Sequence, residues 1–365
     1  MLKVTGRLVG VQYLRAVAAL MVVYYHAALV MPEFRHQLSL SAPFRHEGLA
    51  AGVHVFFVLS GFIMLATTTR TRPTDFLIKR AIRIVPLYWL LTALLAALIV
   101  VPPHLFRQTA LNPAAFVKSL LFIGYVNQNG SISPLLVPGW TLNIEMFFYC
   151  IFAVALLLPL ERRLPMVAAV LISLVLIGMS LAAPQSSPEL WQISRSWMLE
   201  FVIGMAIALA WLRGKLRWRA AVCYGLILAG FVGLLTDWTR IFGGASDFIV
   251  PSALIVLGTV ALEQGRGIVA RPWPLLLGDA SYSIYLSHFV TLAAVKVLWE
   301  RLGLTTGLIG ACGFALVAMV ASIFAALAVH RFAEVPLLEG LQRRHRAAKQ
   351  RARIPLPGAA ELPGP

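Results

Sequence analysis

The chain has 365 residues, 59% of them hydrophobic and 13% charged, with a formal net charge of +16 and a mean hydropathy of +0.82. No soluble core absorbs that much apolar surface, so the composition excludes a soluble domain and predicts an all-α, polytopic bundle of transmembrane helices. Cys150, Cys223 and Cys312 fall in apolar segments without metal-ligand spacing. That pattern argues against a disulfide framework or a bound metal and for packing as small hydrophobes.

The first predicted helix, residues 11–31, is too long for the core of a signal peptide and has no small-residue cleavage site after it, so it is expected to be retained. It contains Arg15 and His26. Charged or titratable groups inside a span are costly and mark function. Their eleven-residue separation brings the helix round to within about 20° of the same face and raises it by roughly 16 Å. One face therefore carries a fixed cation near one end and a proton acceptor deep in the membrane.

Further spans are predicted at residues 49–69, 84–102, 138–160, 165–183, 191–212, 220–236, 248–263, 275–298 and 306–330, giving about ten helices. Residues 111–126 are apolar but short, bounded by Pro113 and the polar Asn127 to Gly130 run, and read as an interfacial or re-entrant segment. With both termini cytoplasmic, the inside segments hold 22 of the 31 Lys and Arg and the outside segments 7, counting Lys296 at the outer end of its span, with Arg15 and Arg195 deeper within spans. That asymmetry follows the positive-inside rule. A spanning 111–126 would reverse every later helix and carry Arg162, Arg163 and the Arg213 to Arg219 cluster outside. The membrane domain is expected over residues 8–340. Residues 341–365, first basic and then rich in Pro, Gly and Ala, read as a disordered cytoplasmic tail beside anionic headgroups. The basic clusters adjoin spans, so membrane lipid rather than nucleic acid is the expected polyanionic partner.

Counting from the predicted outer ends puts His26, His54 and Glu145 within about two helical turns of one another in depth, with His288 comparable. A neutral imidazole removes a proton from a hydroxyl, and a nearby carboxylate orients it, so His26 with Glu145 is the predicted base and orienter. His54 and His288 either join that chemistry or pack through hydrogen bonds. A metal is a weaker reading, because no two histidines show paired ligand spacing. Arg80 and Arg83, three apart and just before the third span, share a helix face near a helix N-terminus. They suit a phosphate-bearing ligand or a phospholipid. Arg15 at the inner end and His26 deep on one face fit a long ligand with its phosphates at the cytoplasmic surface and its reactive end in the membrane. Acyl-coenzyme A has that form.

At these residues the chain resembles the acyltransferase 3 family of bacterial integral membrane enzymes, which O-acylate cell-surface carbohydrates. Tyr13-Leu14-Arg15 to Tyr25-His26 matches the family's Arg-x10-His pattern, and Gly52 to Met64 (GVHVFFVLSGFIM) resembles its second-helix signature. Lys79 to Trp89 (KRAIRIVPLYW), Trp140 to Tyr149 (WTLNIEMFFY), Ser281 to His288 (SYSIYLSH) and Glu334-Val335-Pro336 resemble four further landmarks. The resemblance spans about residues 8–340 and lies nearest the exopolysaccharide O-acetyltransferases. It implies a bacterial inner-membrane enzyme with His26 as essential base and Arg15 as its essential partner. Arg80 and Arg83 would help hold the donor, acetyl-coenzyme A, with no permanently bound cofactor. The implied acceptor is an exopolysaccharide or other cell-surface glycan, with polysaccharide assembly proteins as further partners. His54 departs from the Asp common in relatives, so it and Trp140 and His288 are candidates for touching the acceptor or tuning the site. The resemblance is to relatives without a fused extracellular hydrolase-like domain, so transfer is expected to finish in the bundle or on a separate partner.

Two other readings remain at this level. A transporter or flippase for a lipid-linked sugar would use the polar residues as a pathway, but the chain shows no paired, Gly/Pro-broken halves. A structural subunit of an export complex would leave Arg15 and His26 unexplained.

Overall fold

The computed structural model describes residues 7–31, 46–100, 112–180, 186–236 and 248–351. Fourteen α-helices occur among them. They are α1 (Val9–Val30), α2 (Gly52–Thr67), α3 (Pro73–Val100), α4 (Pro113–Leu120), α5 (Trp140–Ala155), α6 (Leu160–Met179) and α7 (Pro188–Ile193). The rest are α8 (Met198–Leu212), α9 (Ala220–Leu235), α10 (Ile249–Gly265), α11 (Pro272–Asp279), α12 (Ser281–Arg301), α13 (Gly307–Val329) and α14 (Val335–Arg351). Eight helical stretches are long and apolar enough to cross a membrane. The apolar α9 and α10, at 16 and 17 residues, complete the ten predicted spans. The protein is an all-α, multi-pass membrane bundle.

Lipid offers no hydrophobic drive between helices, so close backbone contact holds the bundle together. Helix α2 packs on α8 through reciprocal glycines: a Cβ at Gly61 would stand 2.1 Å from the Phe201 carbonyl oxygen, and one at Gly204 2.0 Å from that of Val58. Any side chain at either position would force the two helices apart. Helix α1 lies against α2, α11, α12 and α10 and is the central element around which the site is built.

Helix ends in a membrane protein need partners for their orphaned backbone groups, and here polar side chains from distant helices supply them. Glu263 of α10 accepts from the Val9 and Gly10 amides at 2.5 and 3.1 Å, capping α1. Gln264 receives the Leu216 amide at 2.9 Å and donates to the Trp211 carbonyl at 2.6 Å, closing α8. Arg163 of α6 donates to the Thr68 and Thr69 carbonyls at 3.2 and 3.3 Å, closing α2.

That last contact decides the topology. The end of α2 and the start of α6 lie on one side of the bundle, which requires an even number of crossings between them. Helices α3 and α5 supply two. The described residues between them form the eight-residue α4, roughly 12 Å long, an isolated antiparallel bridge from Val126 to Ile132 and a 3-10 turn over Val137–Gly139. Helix α4 is pinned to α3 by the Tyr88 hydroxyl and the Trp89 indole, which donate to the Ser119 and Leu120 carbonyls at 3.1 and 2.9 Å. The described part of the segment does not span, in keeping with the interfacial or re-entrant reading.

Two expectations change. The basic half of the predicted disordered tail is helical to Arg351 and packs along α3, where Asp75 pairs with Lys349 and lies 3.8 Å from His345. Hydropathy misses this helix because charge pairing, including Arg343 with Glu339 at 2.9 Å, supports it rather than an apolar stripe. Residues 352–365 lie outside the described residues. Of the cysteines only Cys223 is buried, while Cys150 and Cys312 lie on the outer surface of the bundle, where lipid is as apolar as a packed interior.

Candidate active site

Helices α1, α2, α3, α5, α12 and α14 enclose a cavity of about 550 Å³. Its lining is strongly cationic: Arg7, Arg15, Lys79, Arg80, Arg83 and Arg346 face it, against the carboxylate of Glu145. Helical period explains the grouping. Val53, Phe56, Phe57, Ser60, Ile63, Met64 and Thr67 recur every three or four residues along α2 and form one wall. Arg80 and Arg83 project from the facing turn of α3, and Arg15 from α1.

The cations are not equivalent. Arg83 is held 2.5 Å from Glu334 Oε1, and its guanidinium lies 5.7 Å from the Tyr282 ring centroid. Arg7 pairs with Asp279. Among the described residues Arg15 makes no ion pair; it donates to Gln12 Oε1 at 3.4 Å. Arg80 lies 5.9 Å from the Phe76 ring centroid, beside the Tyr149 hydroxyl, and its buried Nε has no hydrogen-bond partner among the described residues. Cations left half-buried without a carboxylate are costly unless an anion arrives. An anion in this cavity would relieve that cost.

Glu334 escapes a hydropathy reading because it sits at the end of a span, in the π-turn His330–Glu334 between α13 and α14. Only 3% exposed, it accepts from Ser283 Oγ at 2.6 Å and lies 2.8 Å from His330 Nδ1, besides pairing with Arg83. It ties α3, α12 and α13 together behind the cavity. The motif Glu334-Val335-Pro336 is the signal that marks it in the sequence.

Glu145 is not beside His26. Its Oε1 accepts from Ser60 Oγ at 2.6 Å and from the Tyr149 hydroxyl, inside the cavity with the arginines. Ser60 lies six residues further along α2 than His54, about 9 Å deeper, and Glu145 follows it. That offset is still within about two helical turns, but counting residues along separate helices leaves the azimuth open, and the azimuth is what separates Glu145 from His26.

The partner of His26 is His288. His288 Nε2 stands 3.2 Å from His26 Nδ1, with ring centroids 5.0 Å apart. The tautomers follow from the carbonyls. His288 Nδ1 lies 3.1 Å from the Ile284 oxygen and His26 Nδ1 3.0 Å from the Val22 oxygen, and a carbonyl only accepts. Each neutral ring therefore carries its proton on Nδ1. His288 Nε2 is left as an acceptor facing His26, and the His26 Nε2 lone pair is free, with no hydrogen bond among the described residues. His288 is fully buried, and Tyr285 and Phe56, with ring centroids 5.8 Å apart, line the cavity next to it. The Tyr285 hydroxyl is fixed at 2.8 Å from Thr141 Oγ1 and 3.0 Å from the Pro138 carbonyl.

His54 points to another helix. Its Nδ1 bonds the fully buried Glu200 of α8, a residue the sequence reading did not single out. Trp140, half-buried at the start of α5, packs against Phe57 and Trp197 with centroids 6.4 and 5.5 Å away. Among the described residues no three His, Cys, Asp or Glu side chains are grouped to hold a metal ion. The predicted residues thus divide into a cationic group (Arg15, Arg80, Arg83 with Glu145), an imidazole pair (His26 with His288) and a second His–carboxylate pair (His54 with Glu200).

The family model of the acyltransferase domain matches residues 8–331. The chain is 37% identical over 299 residues to the exopolysaccharide production protein ExoZ of Rhizobium meliloti (strain 1021), covering 79% of this chain and 89% of that one. It is 28% identical over 342 residues to the acyltransferase MdmB of Streptomyces mycarofaciens, covering 85% of each. No solved structure matches the chain.

Proposed function

This chain belongs to the acyltransferase 3 family, and on that premise we propose that it transfers an acyl group, acetyl, from acyl-coenzyme A to a hydroxyl of an exopolysaccharide or related cell-surface glycan. The observation that carries the donor assignment is the pair of cations without carboxylate partners, Arg15 and Arg80, in a cavity of about 550 Å³ closed by further basic residues. They bind the phosphates of coenzyme A, while Arg83, fixed by Glu334, shapes the wall beside them. The polysaccharide acceptor is supported by the likeness to ExoZ.

In this reading the acyl end extends past Phe56 and Tyr285 towards His26. His26 Nε2 takes the proton of the acceptor hydroxyl as its oxygen attacks the thioester carbonyl. The tetrahedral intermediate collapses, the C–S bond breaks, and the imidazolium returns its proton to the leaving thiolate. His288 Nε2 accepts from His26 Nδ1–H throughout and so orients the ring and stabilises its charged form. The work assigned to Glu145 on sequence grounds falls to His288, and Glu145 instead orders Ser60 and Tyr149 beside the donor. The basic ends of α1, α3 and α14 gather on one side of the bundle, which we place in the cytoplasm of a bacterial inner membrane.

The test incubates the purified protein in lipid nanodiscs with acetyl-coenzyme A radiolabelled in the acetyl group and with cell-envelope glycan. Label is expected in the glycan, released by mild base as an ester. Absence of transfer from acetyl-, succinyl- and longer acyl-coenzyme A would overturn the donor assignment.

A further inference from the structure

The His54–Glu200 pair lies outside the machinery described above. Residues Val53, Phe56, Phe57 and Ser60 of α2 face the donor cavity, whereas His54, one residue on from Val53 and turned by about 100°, faces α8. Glu200 has no exposed surface; its Oε1 bonds His54 Nδ1, and its Oε2 has no hydrogen-bond partner among the described residues. A fully enclosed carboxylate oxygen left without a donor costs more than its own bond would return, so such a group is placed for a reason. The His54 side chain keeps 15% of its surface exposed, and its Nε2 makes no hydrogen bond among the described residues. With Nδ1–H given to the carboxylate, Nε2 presents a lone pair. Aromatic rings flank it: Phe248 at 5.2 Å and Phe57 at 6.4 Å between centroids, with Trp140 a further 6.4 Å from Phe57.

We propose that His54, positioned by Glu200, is an acceptor subsite that binds a sugar hydroxyl of the glycan against the rings of Phe57 and Phe248. A lone-pair nitrogen backed by a buried carboxylate accepts from a hydroxyl and repels a phosphate, so the subsite selects a neutral polyol over the anionic donor. Aromatic faces complete a carbohydrate site by covering the apolar C–H face of the sugar ring. Phe57 also lines the donor cavity, so one ring separates the bound sugar from the space assigned to acyl-coenzyme A. Glu200 acts through His54 and is a positioning residue.

The proposal rests on the acyl-transfer reading for the identity of its sugar, and the experiment separates the two. Full-length protein in nanodiscs is titrated, without acyl-coenzyme A, with a tritiated neutral oligosaccharide fraction hydrolysed from the producing cell's own exopolysaccharide. The same preparations give KM for that fraction and for acetyl-coenzyme A. His54→Asn keeps a donor for Glu200 but withdraws Nε2, and His54→Phe with Glu200→Leu replaces the whole pair by apolar packing. Both are expected to weaken oligosaccharide binding and raise its KM by about tenfold or more, the effect of one lost hydrogen bond to a polar group, while KM for acetyl-coenzyme A stays at the wild-type value. Glu200→Gln, which still accepts from Nδ1–H, is expected to keep most of the binding. Wild-type oligosaccharide binding in both His54 variants would overturn the proposal and leave the pair as a tie between α2 and α8. Oligosaccharide binding that depends on His54 in a protein that transfers no acyl group would instead sink the acyl-transfer reading and leave the subsite standing.

Discussion

At the scale of single residues, the four side chains that the sequence places at comparable depth fall into three separate groups, His26 with His288, His54 with Glu200, and Glu145 with the arginines. The role proposed for His288, orienting His26, is measurable apart from binding. His288→Ala is expected to lower kcat by about a hundredfold, at the lower end of what general acid–base catalysis supplies, with little change in KM for acetyl-coenzyme A. His288→Gln, whose amide oxygen still accepts from His26 Nδ1–H, is expected to recover part of the loss. An unchanged kcat in His288→Ala would remove the imidazole pair from the mechanism. The arginines divide in the same way. Arg15→Ala and Arg80→Ala should raise KM for the donor without unfolding the protein, because neither cation has a carboxylate partner among the described residues to strand. Arg83→Ala should lower thermal stability as well as activity, since it leaves Glu334 buried and short of a cation, a defect of about 3 kcal/mol. Equal melting temperatures for the Arg80 and Arg83 variants would contradict this division.

At the scale of elements, α14 carries the largest surprise. Its Gln342, His345 and Arg346 form part of the cavity wall, and Lys349 and His345 clasp Asp75 at the start of α3. Removal of residues 341–365 is expected to leave the protein inserted while raising KM for acetyl-coenzyme A several-fold, with kcat at saturating donor largely kept. A wild-type KM in the truncated protein would show that α14 is only a surface strap. The contrast with the spans explains what one sequence can reveal. Hydrophobic length identified the eight stretches long and apolar enough to cross a membrane and the two shorter apolar helices α9 and α10, because burial in lipid is a one-dimensional property of the chain. The Arg15 to His26 spacing was legible for the same reason, as both residues lie on one helix. Partners on different helices were not. Placing His288 beside His26, Glu200 beside His54 and Glu334 beside Arg83 depends on how each helix is rotated about its axis, and nearly uniform apolar sequences such as α2 and α8 give little indication of that. The Gly61 and Gly204 contacts that fix the α2–α8 rotation read in the sequence only as two small residues among many. Helix α14 was missed because ion pairs, not hydropathy, hold it.

At the scale of the whole molecule, the bundle sets two groups at different depths: a cationic cavity, proposed to hold a phosphate-bearing donor, and an imidazole pair further along α1. The Arg163 cap on α2 fixes the relative sidedness of the helices, so a reporter placed after Arg163 and one at the C-terminus should report the same compartment, expected to be the cytoplasm. Periplasmic signals from both would mean that the segment at α4 spans, since it precedes both positions. The central claim is that donor binding and proton transfer are carried by separate groups about 16 Å apart along one helix. The most direct test measures acetyl-coenzyme A binding and acyl transfer on one purified preparation of His26→Gln in nanodiscs. Glutamine keeps hydrogen-bonding capacity but takes up no proton near neutral pH. Wild-type donor affinity with transfer abolished is the predicted result, whereas substantial transfer, or loss of donor binding together with activity, would contradict the account.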